Sequence, residues 1–137
     1  RYPKSIAYGF KIEPGLEEMV IPKFTLQPLV ENYFVHGVDH KRKDNVISIK
    51  VRRVGEAVEI RVQDNGRGME PNQLQRIQQI LSHRDPREEV EESKERQSIG
   101  IVNVHERFLL YFGDRYHIQI TSEKGKGVLY TITIEDT

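Results

Sequence analysis

Two runs of alternating apolar and polar residues, Val46–Val51 and Ala57–Val62, are separated only by residues 52–56, with Gly55-Glu56 as the turn. Alternation puts one set of side chains on each face of a strand. So short a connection has no room for the crossover that parallel neighbours require, and the two runs must form an antiparallel hairpin. A second hairpin is written into Tyr116–Ser122 and Val128–Ile134, joined by Glu123-Lys124-Gly125-Lys126-Gly127. A first strand, Ser5–Ile12, carries its larger apolar residues at Ile6, Tyr8, Phe10 and Ile12 before Glu13-Pro14-Gly15 breaks it. Between these strands the apolar spacing turns helical. Leu16–Val20 forms a short helical turn. A helix from about Pro22 to His36 places Leu26, Leu29, Val30, Tyr33 and Phe34 on its apolar side, and Gly37 closes it as the residue past the cap. A second runs Asn72–Leu81 behind Pro71, and a third runs from Ile101 to about Phe112, opened by Gly100 and stopped by Gly113. Hairpins interspersed with helices argue against a doubly wound parallel sheet and predict an α/β two-layer sandwich. Its sheet is mixed and mainly antiparallel, with three helices on one face. Residues 1–137 read as one domain without repeat or linker.

Composition narrows the chemistry. The chain has no cysteine, which removes thiol catalysis, disulfide scaffolding and thiolate zinc sites together. Its 21 basic residues balance 21 acidic ones, against the basic surplus expected of nucleic-acid binding. No apolar run reaches the roughly 20 residues that span a bilayer, and the start at Arg1 without an apolar leader reads as a piece of a longer protein. Residues 83–97 hold ten Asp, Glu, Lys or Arg and a single aliphatic residue, Val90, a composition that predicts a mobile loop.

Three constellations carry candidate chemistry. In Leu26-Gln27-Pro28-Leu29-Val30-Glu31-Asn32-Tyr33-Phe34-Val35-His36-Gly37, Asn32 and His36 stand four apart on one helix face, with Glu31 about 100° round. An amide, a carboxylate and an imidazole at one helix end can hold a hydrated Mg²⁺ with a polyphosphate; the same residues also suit an ordinary solvated helix face. A zinc pair of His36 with His40 is disfavoured by the break at Gly37. In Asp64-Asn65-Gly66-Arg67-Gly68, a carboxylate at a strand end can accept from an exocyclic amine while glycines let backbone approach a flat ring. Asn-Gly is also a hairpin signal, but a helix follows rather than a paired strand. In Ser98-Ile99-Gly100-Ile101-Val102-Asn103-Val104-His105-Glu106-Arg107, a glycine at a helix start leaves N–H groups for phosphate oxygens, and Asn103 and Arg107 share a face.

In this order the three resemble the N box, G1 box and G2 box of the GHKL ATP-binding superfamily (the Bergerat fold), and most of all the catalytic and ATP-binding domain of YesM/LytS-type sensor histidine kinases. The residues that carry the resemblance are Ile21-Pro22-Lys23-Phe24-Thr25-Leu26-Gln27-Pro28-Leu29-Val30-Glu31-Asn32 with His36-Gly37, Asp64–Met69 and Gly100–Phe108, with Lys124-Gly125-Lys126-Gly127 at the family's last glycine-rich turn. The resemblance implies ATP and Mg²⁺ as cofactors, with Asn32 coordinating the metal and His36 on the nucleotide side. It implies Asp64 on the adenine amine, Gly66 and Gly68 beside the ring, Gly100, Asn103, Arg107 and Gly127 around the nucleotide, and an ATP lid over about 69–99. Pro28 replaces the glutamate base of the family's hydrolases, so Glu31 is left to orient or deprotonate an incoming imidazole. Val35, Ser98 and Val128 depart from the family's lysine, glycine and threonine. The implied activity is transfer of the ATP γ-phosphoryl group to a histidine on a separate dimerisation domain of the parent protein. A response regulator would lie downstream, and the parent would be a membrane-anchored homodimer with this domain in the cytoplasm. The alternatives are a GHKL ATPase or protein-serine kinase, and a non-catalytic nucleotide sensor. His105-Glu106 imitates an acceptor pair, but its place on the Gly100 helix, beside the triphosphate, argues against acceptance.

Overall fold

The computed structural model describes residues 7–16, 26–84 and 96–136, with backbone only over 96–99. Among these residues five strands form one sheet: β1 (Ala7–Ile12), β2 (Val46–Val54), β3 (Ala57–Asp64), β4 (Tyr116–Glu123) and β5 (Gly127–Glu135), in the spatial order β1-β2-β3-β5-β4. Only β1 runs parallel to its neighbour; β2/β3, β3/β5 and β4/β5 are antiparallel. Both expected hairpins are present, and Gly55 takes its turn at φ 61°. Three helices complete the layer: α1 (Gln27–Asn32), α2 (Pro71–Ser82) and α3 (Arg96–Phe112). The mixed two-layer sandwich expected from the sequence is the observed fold.

Alternation explains the core. Ile47, Ile49 and Val51 on β2, Val58, Ile60 and Val62 on β3, and Tyr130, Ile132 and Ile134 on β5 are buried, while their chain neighbours are not. Against them pack Leu29 of α1, Ile77 and Leu81 of α2, and Ile101, Val104 and Phe108 of α3 at helical spacing. Fully burying one such side chain contributes about 1.5–3 kcal/mol, so this shared interior is what holds helices to sheet.

Several boundaries differ from expectation. The first helix is α-helical only to Asn32 and then opens into one π turn, Tyr33–Gly37, closed where Val38 N–H donates to the Tyr33 carbonyl at 3.0 Å. The Leu16–Val20 turn and the start of that helix fall on residues 17–25, outside the described residues, as does most of the charged run, 85–95. Gly37 is not a left-handed cap, because its φ is not positive; it serves close packing instead, since a Cβ there would press on the Tyr33 ring at 3.0 Å. The third helix begins at Arg96 rather than Gly100, so Gly100 lies inside it and does not present the helix's free N–H groups.

The first two residues of the charged run are anchored, not loose. Arg84 donates to the carbonyls of Tyr116 (2.9 Å) and Gly113 (3.0 Å), and its guanidinium lies 5.9 Å from the Tyr116 ring centre. The His83 carbonyl meets His105 Nε2 at 2.7 Å, while Nδ1 of the same ring meets the Tyr116 hydroxyl at 2.9 Å. A carbonyl can only accept, so His105 is the neutral Nε2–H form with Nδ1 accepting from Tyr116. Burial holds its pKa below the ordinary imidazole value. His105 is therefore a core pin joining α2, α3 and β4, with 1% exposure, and not a group beside the phosphates. Removing it strands two buried partners. His105→Ala should cost about 2–4 kcal/mol of stability, read by urea unfolding, the sum of a cavity and two unmade hydrogen bonds.

Candidate functional site

At the end of β3 the backbone of three loops meets without intervening side chains. Arg67 N–H donates to the Gly37 carbonyl at 2.7 Å, and Gly125 N–H donates to the Arg67 carbonyl at 2.5 Å. A Cβ on Gly66 would lie 2.0 Å from the Gly37 oxygen, one on Gly68 2.1 Å from the Glu123 oxygen, and one on Gly127 2.0 Å from the Asp64 oxygen. Gly68 and Gly127 also sit at φ 71° and 91°, where only glycine is unstrained. The Ser122 hydroxyl accepts from Met69 N–H at 2.9 Å and donates to the Gly127 carbonyl at 2.7 Å, tying the loop to the last hairpin. Asn65, which sequence reasoning passed over, clamps the other side: its amide donates to the Asp44 carbonyl (2.7 Å) and its oxygen accepts from Val46 N–H (2.9 Å).

This packing holds the Asp64 carboxyl at the inner end of the loop. Its Oδ1 accepts from Gly66 N–H at 2.8 Å, and the backbone N–H of Val128 also donates to it. Burial outweighs these donors and pushes its pKa up to about 6. Partly screened from water, the carboxyl retains acceptor capacity for a ligand amine. Val128 makes this contact through its backbone, which does not depend on its side chain.

Asn32 ends α1, and its side chain shares a hydrogen bond with the Tyr130 hydroxyl of β5, a group that also lies in the field of Asp64. Tyr130 thus bridges the two expected site residues, and burial raises its pKa. Gly100 completes this corner: a Cβ there would sit 3.3 Å from Asn32 Oδ1 and 3.4 Å from Pro28 Cβ, so its glycine serves the approach of α3 to α1. Tyr33, the next residue after Asn32, is buried with its hydroxyl unpaired, and its pKa is pushed up to about 12 by burial and by Asp64. Neither tyrosine was singled out in the sequence, where both are simply apolar positions in a helix and a strand. Only the position of Tyr33 beside Asn32 could have drawn notice.

Asn32, Asp64, Gly66, Gly68, Gly100 and Gly127 are therefore gathered at one end of the sheet. The others are not. His36 is exposed in the π turn, Val35 is 67% exposed beside it, and Glu31 faces solvent, accepting from Gln27 at 3.2 Å. Asn103 and Arg107 do share a face of α3, but it is the solvent face, continued by Leu110 at 85% exposure. The part of the expected lid over 71–82 is α2, bound into the core by Ile77 and Leu81.

No group of three His, Asp or Glu among the described residues could hold a metal unaided. One carboxamide oxygen fits Mg²⁺ only in company with phosphate oxygens and water, the ion's usual habit.

The glycines provide a controlled comparison. Gly125 and Gly127 both have positive φ, 84° and 91°, but a Cβ on Gly125 meets nothing within 4 Å. Gly125→Ala should cost about 1–2 kcal/mol of backbone strain in thermal unfolding. Gly127→Ala should cost well above that and displace the Asp64 backbone.

Similar proteins place this geometry. The chain is 31% identical over 134 residues to the sensor histidine kinase YesM of Bacillus subtilis, covering 98% of this chain and 20% of that one. It is 32% identical over 133 residues to the sensor protein LytS of Streptococcus mutans, covering 96% and 21%. It thus spans about a fifth of the length of the curated relatives it matches. Among solved structures, the catalytic domain of the histidine kinase ThkA superposes with a TM-score of 0.64 at 15% identity, covering 96% of this chain and 80% of that one, which shows the shared fold. Residues 23–137 match the histidine kinase-, DNA gyrase B- and HSP90-like ATPases, and because that match takes in the Asn32 helix, the Asp64 loop and the Gly127 turn together, the chain belongs to this ATPase family.

Proposed function

We propose that the chain is the ATP-binding catalytic domain of a sensor histidine kinase, which passes the γ-phosphoryl group of Mg-ATP to a histidine on a separate dimerisation domain of the parent protein. The observation that carries this reading is the half-enclosed Asp64 carboxyl, held by two backbone donors and linked through Tyr130 to Asn32. Asp64 binds the exocyclic amine of adenine. Asn32 offers its amide oxygen to Mg²⁺, which when bound neutralises phosphate charge. Gly66, Gly68 and Gly127 keep side chains out of the pocket wall. Catalysis in such a site is positioning and electrostatics more than covalent chemistry.

Hydrolysis is a poor fit. Pro28 occupies the second position of α1, where its missing N–H costs nothing, and it cannot take a proton from water. Glu31 faces solvent, where an imidazole arriving from another domain can reach it. That placement suits a group that orients or deprotonates an external acceptor. The histidine-bearing domain, a downstream response regulator and membrane anchoring of the parent belong to this proposal. In the described residues no helix is long and apolar enough to cross a membrane. A non-catalytic nucleotide sensor is the second reading, favoured by the solvent-facing Asn103 and Arg107.

The deciding experiment supplies γ-labelled ATP to this chain with and without the parent's histidine-bearing helices. Acid-labile label on the added helices is expected, with none on the isolated chain. Binding of ATP without transfer would favour the sensor, and steady phosphate release the ATPase. Asp64→Asn should lower ATP affinity ten- to a hundredfold by calorimetry, the loss of a charge-assisted acceptor worth about 1.5–3 kcal/mol.

The pH dependence follows from the same carboxyl. Its folded pKa of about 6 lies above the ordinary 3.8, so the folded state binds the proton more tightly. Asp64 therefore adds stability as pH falls through 6 toward 4, by about 2–3 kcal/mol in total, and withdraws it as pH rises. ATP affinity should move oppositely, falling below pH 6 as the acceptor protonates. Asp64→Asn should unfold at a higher temperature than the native chain at pH 8 and lose this pH dependence. Comparing the two profiles cancels His105, whose lowered pKa withdraws stability on acidification in both.

A further inference from the structure

Among the described residues two buried side-chain atoms lack a hydrogen-bond partner, Tyr33 Oη and Asn45 Oδ1. The Asn45 amide is already fixed through its nitrogen, which donates to the Arg42 carbonyl at 3.0 Å. Tyr33 has no such anchor. The residue is 2% exposed, and its hydroxyl is a donor and an acceptor left unused. The other buried phenols among the described residues find partners: Tyr116 binds His105 and Tyr130 binds Asn32. An unmet hydroxyl in a native interior is uncommon and calls for a partner, whether water, ion or ligand.

The location narrows what that partner is. Tyr33 begins the π turn directly after Asn32, a backbone irregularity that recurs at functional sites. Its ring lies beneath Gly37, close enough that a Cβ on Gly37 would stand 3.0 Å from Cδ1. The Gly37 carbonyl in turn abuts Gly66, whose N–H is bound to Asp64. The hydroxyl lies in the field of the same carboxylate. Asp64 and Tyr33 thus bring a carboxylate acceptor and a hydroxyl donor to the two sides of the Gly37–Gly66 contact. The edge of a 6-aminopurine presents the complement in the same order, an amine donor beside the ring nitrogen N1 acceptor. A 6-oxopurine presents the reverse, an oxygen acceptor beside an N1–H donor, which would face carboxylate and hydroxyl with the wrong partners.

We propose that Tyr33 is a specificity-determining residue of the nucleotide site, its hydroxyl donating a hydrogen bond to N1 of the adenine whose amine is held by Asp64. This rests on the nucleotide-binding reading above. It explains why a hydroxyl is kept where phenylalanine would fill the same space without an unpaired group.

The test uses this chain with Tyr33→Phe, and ATP alongside an analogue carrying CH in place of N1 (1-deaza-ATP). Tyr33→Phe should weaken ATP binding about tenfold, the loss of one buried hydrogen bond. It should leave the affinity for 1-deaza-ATP unchanged, because that ligand has no acceptor to lose. It should also reduce the preference for ATP over ITP. Unfolding of the ligand-free variant should occur at the same or a higher temperature, since removing an unpaired hydroxyl relieves the interior; a merely structural hydroxyl would lower it. Unchanged ATP affinity in Tyr33→Phe, or an equal loss for ATP and 1-deaza-ATP, would overturn the proposal. The wider reading is checked separately: if native protein binds ATP and Asp64→Asn does not, failure at Tyr33 leaves nucleotide binding standing, whereas native protein that binds no ATP removes both.

Discussion

Backbone meeting backbone at Gly66, Gly68 and Gly127 is the constraint on which the rest of the site depends. A Cβ at any of the three would fall about 2 Å from a carbonyl oxygen of Gly37, Glu123 or Asp64, a distance no neighbour can yield when it is itself backbone. These contacts bind the end of β3 to the π turn after α1 on one side and to the β4–β5 turn on the other. Take them away and Asp64 has neither its position nor its burial. The Gly100 contact on Asn32 extends the same device to α3, so each motif carries glycine where another element arrives.

Asp64 shows what that geometry does chemically. The carboxyl is half removed from water with only two backbone donors, and its pKa rises because they do not offset the desolvation. A protein optimised for stability alone would pair the group fully or replace it. Keeping it half-buried with acceptor capacity to spare is the arrangement expected of a site that binds a ligand donor. Tyr33 carries an unpaired hydroxyl in the field of the same carboxyl, and Tyr130 links that carboxyl to Asn32. His105 is the contrast: as buried as Tyr33, but with both ring nitrogens bonded, it joins elements and has no capacity left for a ligand.

What could be read ahead of the structure followed from local rules. Period-2 alternation located β2, β3, β4 and β5 to within a few residues, because burial on one face of a pleated strand imposes that period wherever the strand sits. Pro71 and the spacing of Leu74, Ile77 and Leu81 located α2 in the same way. Boundaries set by nonlocal contacts were missed. Gly37 and Gly100 look like a helix stop and a helix start, since glycine commonly marks both, but here each is a contact surface inside or beside a helix. Asn103 and Arg107 share a face as their spacing requires, yet nothing in that spacing says which way the face points.

By itself, then, the sequence determined the element order, the sheet's mixed character, the residues of the core and the three motifs, all of them properties of short windows or of chain connectivity. Only the tertiary structure decided that Asp64, Asn32 and two unremarked tyrosines form one cluster, that His105 belongs to the core, and that Asn103 and Arg107 face solvent. The reason is physical. Periodicity reports whether a side chain is buried, because every face of a helix or strand must meet either water or protein. It does not report which partner it meets, because that depends on how residues far apart in the chain are brought together, here through glycine contacts between β3, the π turn and the last hairpin.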